Sequence, residues 1–257
     1  MRRRLFLFIL LLLTCRLLPA QGLIRTPDGH YVTSSGGLVI LTPPSCGTLT
    51  VQDADGNSYH TVLIGTQCWM KENLATTKYN DGTEIPNVSD PGEWTTLTTA
   101  GYCWYNNDAA SNKSTFGALY NWYAADNNPA TKMASNGGKN ICPNGWHIPS
   151  QAEWMTLFSS VGSVGTAGGK LKQAGVANWS PPNTGADNSF GFTALPGGYR
   201  TTTNGAFYQI TTNGFWYSST AIDANTVFYY GMVYNLNSIN TFQNYNKFGL
   251  SLRCLKN

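Results

Sequence analysis

Asn140-Ile141-Cys142-Pro143-Asn144-Gly145-Trp146-His147-Ile148-Pro149-Ser150-Gln151-Ala152-Glu153-Trp154 decides how this chain folds. Pro143, Gly145 and Pro149 forbid a continuous helix as far as Pro149, so that part is extended or turning. Ser150 followed three residues later by Glu153 is the reciprocal capping box that opens a helix. Trp154, Leu157, Phe158 and Val161 then recur at helical spacing, which gives the helix one apolar face to dock on a core. Trp146 and Ile148 are expected to anchor the extended piece from the other side, with Trp146, Trp154, Leu157 and Phe192 largely buried.

The surrounding composition sets the class. At 257 residues the chain has room for one substantial core, and 27 glycines with only 11% charged residues favour a loop-rich extracellular β-containing domain. The net charge of +3 is misleading. Arg2, Arg3, Arg4 and Arg16 precede Ala20, in a segment that reads as a signal peptide. Removing those four leaves 3 − 4 = −1 for the mature chain, so no basic footprint for nucleic acid remains. The apolar run Leu5 to Thr14 is too short for an ordinary membrane span. Leu13-Thr14-Cys15 also resembles a bacterial lipoprotein site, which would tether the chain by a lipid at Cys15. Thr14 is larger than the residue usual there, and simple export with cleavage after Ala20 is the preferred reading.

Residues 21–45 read as a linker punctuated by Thr26-Pro27-Asp28-Gly29, Ser34-Ser35-Gly36-Gly37 and Pro43-Pro44, and residues 46–257 as the domain. Asp55-Gly56 between Leu49-Thr50-Val51 and Tyr59 to Ile64 marks a β-hairpin. Asp53-Ala54-Asp55-Gly56-Asn57 is not a calcium loop, because Ser58 and Ile64 stand where an EF-hand needs glycine and glutamate. Further strands are expected over Ala206 to Ile210, Gly214 to Ser219, Val227 to Tyr234 and Gly249 to Leu255. Many short antiparallel strands with one or two helices and long loops describe an α+β domain.

Chemistry is sparse. No serine elbow, phosphate loop or His-Glu-x-x-His occurs. Only His147 is placed to act, and beside Trp146 it reads as a structural hydrogen-bonder. The carboxylates are scattered, and Glu153 is accounted for by the cap. The chain is expected not to be an enzyme and to use no cofactor or metal. Five cysteines follow Ala20, and in an exported chain they are expected as disulfide partners rather than metal ligands. Two bridges with one cysteine spare allow fifteen arrangements, five spares times three pairings, and spacing does not choose among them.

Several motifs in order carry a family resemblance. They are Thr61-Val62-x-Ile64-Gly65-x-Gln67-x-Trp69-Met70-x-Glu72-Asn73-Leu74, Tyr102-Cys103-Trp104-Tyr105-Asn106-Asn107, Cys142-Pro143-x-Gly145-Trp146-His147-x-Pro149-Ser150, Gly191-Phe192-Thr193-Ala194-Leu195-Pro196-Gly197-Gly198 and Arg253-Cys254. With them, residues 46–257 resemble the Fibrobacter succinogenes major paralogous domain of exported bacterial proteins. The helix entry is similar to that of the sulfatase-modifying-factor group, which implies a C-type-lectin-like fold. That fold brings the terminal strand beside the early core, which implies a Cys142–Cys254 bridge; Cys68–Cys103 is the second pairing expected, leaving Cys46 spare.

The asparagine-rich segment from Asn235 to Asn246 reads first as a solvated loop anchored by Ile239 and Phe242, and it also resembles the variable face of diversified lectin-like proteins. The residues it implies for ligand binding are Tyr230, Asn235, Asn237, Asn240, Asn244 and Tyr245, exposed on one surface, with Phe228, Met232, Tyr234 and Leu252 pointing inward. The reading is an exported cell-surface recognition or adhesion module for a protein or glycan partner. A structural envelope protein and a carbohydrate-active enzyme are the alternatives.

Overall fold

The computed structural model describes residues 23–25, 31–33, 38–39, 45–126, 137–223, 225–245 and 247–257. The chain divides into two compact units, Met1–Ser45 and Cys46–Asn257. In the first, β1 (Leu23–Arg25), β2 (Tyr31–Thr33) and β3 (Leu38–Val39) pair antiparallel in that order. In residues 21–45, read as a linker, the sequence offered a short strand only at Val39-Ile40-Leu41, because strands of two or three residues carry no measurable period. The expected signal segment, its expected cleavage after Ala20 and Cys15 lie outside the described residues.

The second unit is mostly β-sheet with a few short helices, an α+β arrangement. Its strands are β4 (Thr50–Gln52), β5 (Ser58–Ile64), β6 (Gln67–Met70), β7 (Tyr102–Cys103), β8 (Leu119–Tyr120), β9 (Trp146–His147), β10 (Gly197–Arg200), β11 (Phe207–Ile210), β12 (Asn213–Ala221), β13 (Thr226–Val233), β14 (Ile239–Tyr245) and β15 (Leu255–Lys256). Its helices are α1 (Pro91–Thr96), α2 (Ala109–Phe116), α3 (Trp122–Ala125), α4 (Gln151–Ser160) and α5 (Ala167–Leu171). One sheet runs β4-β5-β6-β15-β9 and the other β11-β10-β12-β13-β14, while β7 and β8 pair separately. Five helices therefore stand among the described residues where one or two were expected, though only α2 and α4 reach eight residues.

Local chemistry explains the anchors. The β4–β5 hairpin turns at Gly56 with φ +82°, and Asp53 ties the turn together by accepting from the Asp55 and Asn57 amides and the Tyr59 hydroxyl. The Asp53 carboxylate is thus spent on the turn. Helix α4 opens with the capping box: Glu153 N–H donates to Ser150 Oγ at 3.3 Å, and Ser150 N–H donates back to a Glu153 carboxylate oxygen at 2.7 Å. The face that follows packs Trp154, Leu157, Phe158 and Val161 between the sheets. Trp69 of β6 lies 4.8 Å from Trp154, centroid to centroid, and Tyr230 of β13 lies 5.6 Å from it on the other side. Trp146, Trp154, Leu157 and Phe192 are all buried.

The end of the chain returns to the first sheet, where Leu255 pairs with both Trp69 and His147. Expected as one strand over 249–255, this segment instead hands itself between neighbours. Gly249 bridges to Arg200, Leu250 to Tyr120 and Ser251 to Trp216 before β15 begins.

Three buried cations tie the loops down without a carboxylate among the described residues. Arg253 donates to the Phe192 and Thr193 carbonyls and to Asn73 Oδ1, its guanidinium 4.2 Å from the Phe192 ring centre. Arg200 donates to the Val88, Ser89 and Gly205 carbonyls between Trp94 and Phe207. Lys172 Nζ donates to the carbonyls of Thr184, Val233 and Leu236 at 3.0–3.1 Å, and burial pulls its pKa down to about 8. Carbonyl dipoles and ring faces take the place of counter-ions here.

Candidate functional site

The second sheet has two faces, and the register assigns each side chain to one of them. Directly opposed residues share a face. Trp216 pairs with Tyr230 and Tyr230 with Thr241, while Met232 pairs with Ile239; this row looks toward α4. Phe215 pairs with Gly231 and Gly231 with Asn240, while Tyr217 pairs with Tyr229 and Tyr229 with Phe242. Phe215, Tyr229 and Phe242 of that second row form the floor of an open cavity of about 310 Å³. Tyr199, Gln209, Asn213, Phe215, Tyr229, Phe242, Phe248 and Leu250 line it.

Each lining residue is held by a specific device. Phe242 stacks on Tyr229 at 4.9 Å with rings 13° from parallel, and Phe215 meets Phe242 edge-on at 5.7 Å. Gly231 permits this closure, because a Cβ there would lie 2.8 Å from both the Phe215 and the Phe242 rings. Tyr199 stands upright against Phe215, 5.6 Å away at 87°, and reaches Phe248 at 5.8 Å. Phe248 is placed by its own carbonyl, which accepts from the Tyr217 hydroxyl at 2.7 Å. Burial raises the Tyr199 phenol above its ordinary pKa, with Tyr208 adding to the effect, so the cavity wall stays uncharged at neutral pH.

The rim is polar and strained. Gln209, within β11, and Thr211, in the turn that follows it, sit at φ +64° and +66°, a region that side-chain-bearing residues enter at a cost of about 1–3 kcal/mol each. The Thr211 backbone is clamped there, since its N–H donates to the Pro196 carbonyl and its carbonyl accepts from Ser180. Gln209 and Asn213 line the cavity from the strands on either side of this turn, and the hydrogen bonds among the described residues engage neither side-chain amide.

The structure redistributes the residues expected to bind. Tyr230 is only 1% exposed, wedged against Trp154 and Phe158, and burial pushes its phenol up to about 12. The same two-residue period that puts Met232 inside puts Tyr230 inside, so an outward Tyr230 was inconsistent with an inward Met232 on one strand. Phe228 and Tyr234 are half-buried, while Met232 and Leu252 are buried. Asn235 and Asn237 are exposed on the turn after β13, which the buried Lys172 pins through the Val233 and Leu236 carbonyls. Asn240 is half-buried, in register with Gly231 and Phe215 on the cavity face. Asn244 and Tyr245 belong to β14, opposite Val227 and Thr226.

Of the six, then, Asn240 shares the cavity face, Asn235 and Asn237 stand on a neighbouring turn, and Tyr230 belongs to the core. Tyr199, Gln209, Asn213, Phe215 and Phe248 line the cavity and were not among the residues expected to bind. The one signal available was the matching parity of Phe215 and Tyr217, and that becomes meaningful only once the strand register is known.

The disulfides also differ in part. Cys142 and Cys254 are bridged, with Cα atoms 6.0 Å apart. Cys68 is bridged to Cys46, not to Cys103, with Cα atoms 5.7 Å apart. The Gly47 N–H donates to Thr61 Oγ1 on β5, which brings Cys46 across to β6, where Cys68 pairs with Leu63. Cys103 is a free thiol buried with Val88, Trp94, Tyr105 and Leu119, and burial pushes its pKa up to about 12.

Around α4, both ring nitrogens of His147 face oxygens: Nε2 lies 2.9 Å from Glu153 and Nδ1 lies 2.6 Å from the Asn257 side chain. The imidazole thereby fastens the last residue to the helix cap. Two disulfides fit an exported module, and no described helix is long and apolar enough to cross a membrane.

Comparison with curated proteins and with solved structures found no match. Residues 62–256 match the family model of the Fibrobacter succinogenes major domain, so this chain, with its cap-opened helix, two disulfides and aromatic sheet face, belongs to that family.

Proposed function

We propose that the chain is an exported recognition module whose binding site is the aromatic cavity on the face of β10–β14, and that it is not an enzyme. The observation that carries this reading is the cavity's lining: five aromatic rings, one leucine and two amides, with no carboxylate, imidazole, thiol or cation among them. Such a wall offers contact area and hydrogen bonds, and its two tyrosine hydroxyls have no carboxylate, imidazole or cation beside them in the lining to work with as an acid–base pair. Rigid aromatics beside adaptable amides also form the composition that suits recognition surfaces. Of the asparagines expected to bind, Asn240 shares the sheet face on which this cavity opens. Adhesion at the bacterial surface, by simple export or by a lipid on Cys15, is the setting we infer.

The test is a screen of the full chain against immobilised glycans and cell-surface proteins, with product analysis of every probe. Saturable binding without turnover, weakened by Phe248→Ala, supports the reading. Conversion of a probe that is lost on substituting a carboxylate would replace it with an enzyme.

A further inference from the structure

Resting on that reading, we propose that the cavity takes the apolar face of a neutral sugar ring, with the Gln209 and Asn213 amides hydrogen-bonding its hydroxyls. Charge narrows the ligand first. None of the eight lining residues is ionisable except the two tyrosines, and burial holds the Tyr199 phenol neutral. A phosphate, sulfate or uronate, or an ammonium group, would lose hydration against this wall without gaining a charged partner, which disfavours it. Nucleotides are disfavoured on the same ground.

Shape narrows it further. About 310 Å³ lies at the small end of the ~300–1,000 Å³ usual for ligand clefts, so one or two rings fit and a folded segment does not. The floor is made of ring faces and edges rather than aliphatic chains, with Tyr199 upright against Phe215 and Phe248 beside it. A pyranose presents a patch of C–H groups to such rings, and their negative faces attract those C–H groups.

The amides then choose between a sugar and a peptide. A peptide laid as an extra strand needs an open sheet edge to pair with. The cavity instead lies on the sheet face, over β12 and β13, each of which already has a paired strand on both sides, and the edge strands β11 and β14 contribute only the side chains of Gln209 and Phe242 to it. Gln209 and Asn213 each offer a carbonyl oxygen and an NH₂, and neither is engaged within the described structure. Two such groups at the rim match the alternating donors and acceptors of adjacent hydroxyls. The strained backbone at Gln209 keeps one of them over the opening.

The experiment uses the full chain and an array of neutral glycans, with cellohexaose, xylohexaose and mannohexaose titrated individually by calorimetry. Oligogalacturonate and a proline-rich peptide serve as the charged and peptide arms. We expect saturable binding of at least one neutral glycan, a tenfold or greater loss of affinity in Phe248→Ala, and a severalfold loss in Gln209→Ala and Asn213→Ala. Leu63→Ala, an exposed position on the other sheet, should bind as the parent does. Gln209 is exposed, so its variant tests the site even if Phe248→Ala misfolds.

Preferential binding of the oligogalacturonate or the peptide, with the same sensitivity to Gln209→Ala, would overturn the sugar assignment and leave the cavity as the site. Glycan binding indifferent to all three substitutions would overturn both. No saturable binding to any neutral glycan at millimolar concentration would overturn the sugar assignment.

Discussion

The two disulfides close loops of very different length, and this permits a quantitative comparison within one molecule. Cys142 and Cys254 are 112 residues apart and Cys46 and Cys68 are 22 apart. Chain-entropy arithmetic, ΔS ≈ −2.1 − 1.5R ln n cal/mol/K, gives about 4.8 kcal/mol for the long loop and about 3.4 kcal/mol for the short one at 25 °C. Packing acts in the same direction, since Cys142 and Cys254 are fully buried while Cys46 is half-exposed. The paired variants Cys142→Ala/Cys254→Ala and Cys46→Ala/Cys68→Ala should therefore both destabilise the domain, the first by more. Urea unfolding followed by tryptophan fluorescence, under non-reducing conditions, gives both losses from one protocol. A larger loss from the Cys46/Cys68 pair, or a loss below about 1 kcal/mol from Cys142/Cys254, would refute the reasoning. Non-reducing peptide mapping adds a direct check, because Cys103 should be alkylated only after unfolding.

Three further outcomes follow from the packing around α4. Trp154→Ala should cost about 3–5 kcal/mol, since the indole is buried between Trp69, Phe192 and Tyr230; urea unfolding measures it. Tyr230→Phe should be neutral or stabilising by up to about 1 kcal/mol, because the hydroxyl it removes is buried without a partner, and it should leave ligand binding intact. Binding lost in that variant with stability unchanged would restore the exposed placement. For Glu153, burial raises the carboxyl's pKa, but hydrogen bonds from Ser150 and His147 outweigh it and hold the folded value below 4.5. Its contribution to stability is thus complete above about pH 4.5 and lost as pH falls through the lower folded value. Glu153→Gln should flatten that acid limb of the stability profile, and an unchanged limb would show the cap carboxylate to be uncoupled from folding.

What could be read in the sequence was local. Ser150 and Glu153 are three residues apart, so their reciprocal cap is specified within one turn, and the Trp154, Leu157, Phe158 face follows from the 3.6-residue period. Asp55-Gly56 marked its hairpin for the same reason. The family motifs were legible too, as runs of quoted residues. Long-range pairing was not. Cys46 meets Cys68 because β4 to β6 form a meander, and no spacing rule separates that from Cys68–Cys103. The binding face failed at Tyr230 for a different reason: an outward residue was chosen against the strand's own alternation. Arg200 and Arg253 gave no sign of burial, because the partners that take them in are backbone carbonyls, which every residue has. The cavity itself is assembled from β10 to β14 and Phe248, and becomes visible only when Gly231 lets Phe215 and Phe242 close over the same strand.

The functional reading stands or falls on where a ligand touches the domain. Backbone and aromatic chemical shifts of the isotope-labelled full chain, followed during titration with the tightest-binding glycan of the array, would locate that contact. The expected result is a set of perturbations confined to Tyr199, Gln209, Asn213, Phe215, Tyr229, Phe242 and Phe248 and their strand neighbours. Perturbations centred instead on the His147–Glu153 cap or on the β4–β6 sheet, with these residues unmoved, would contradict it.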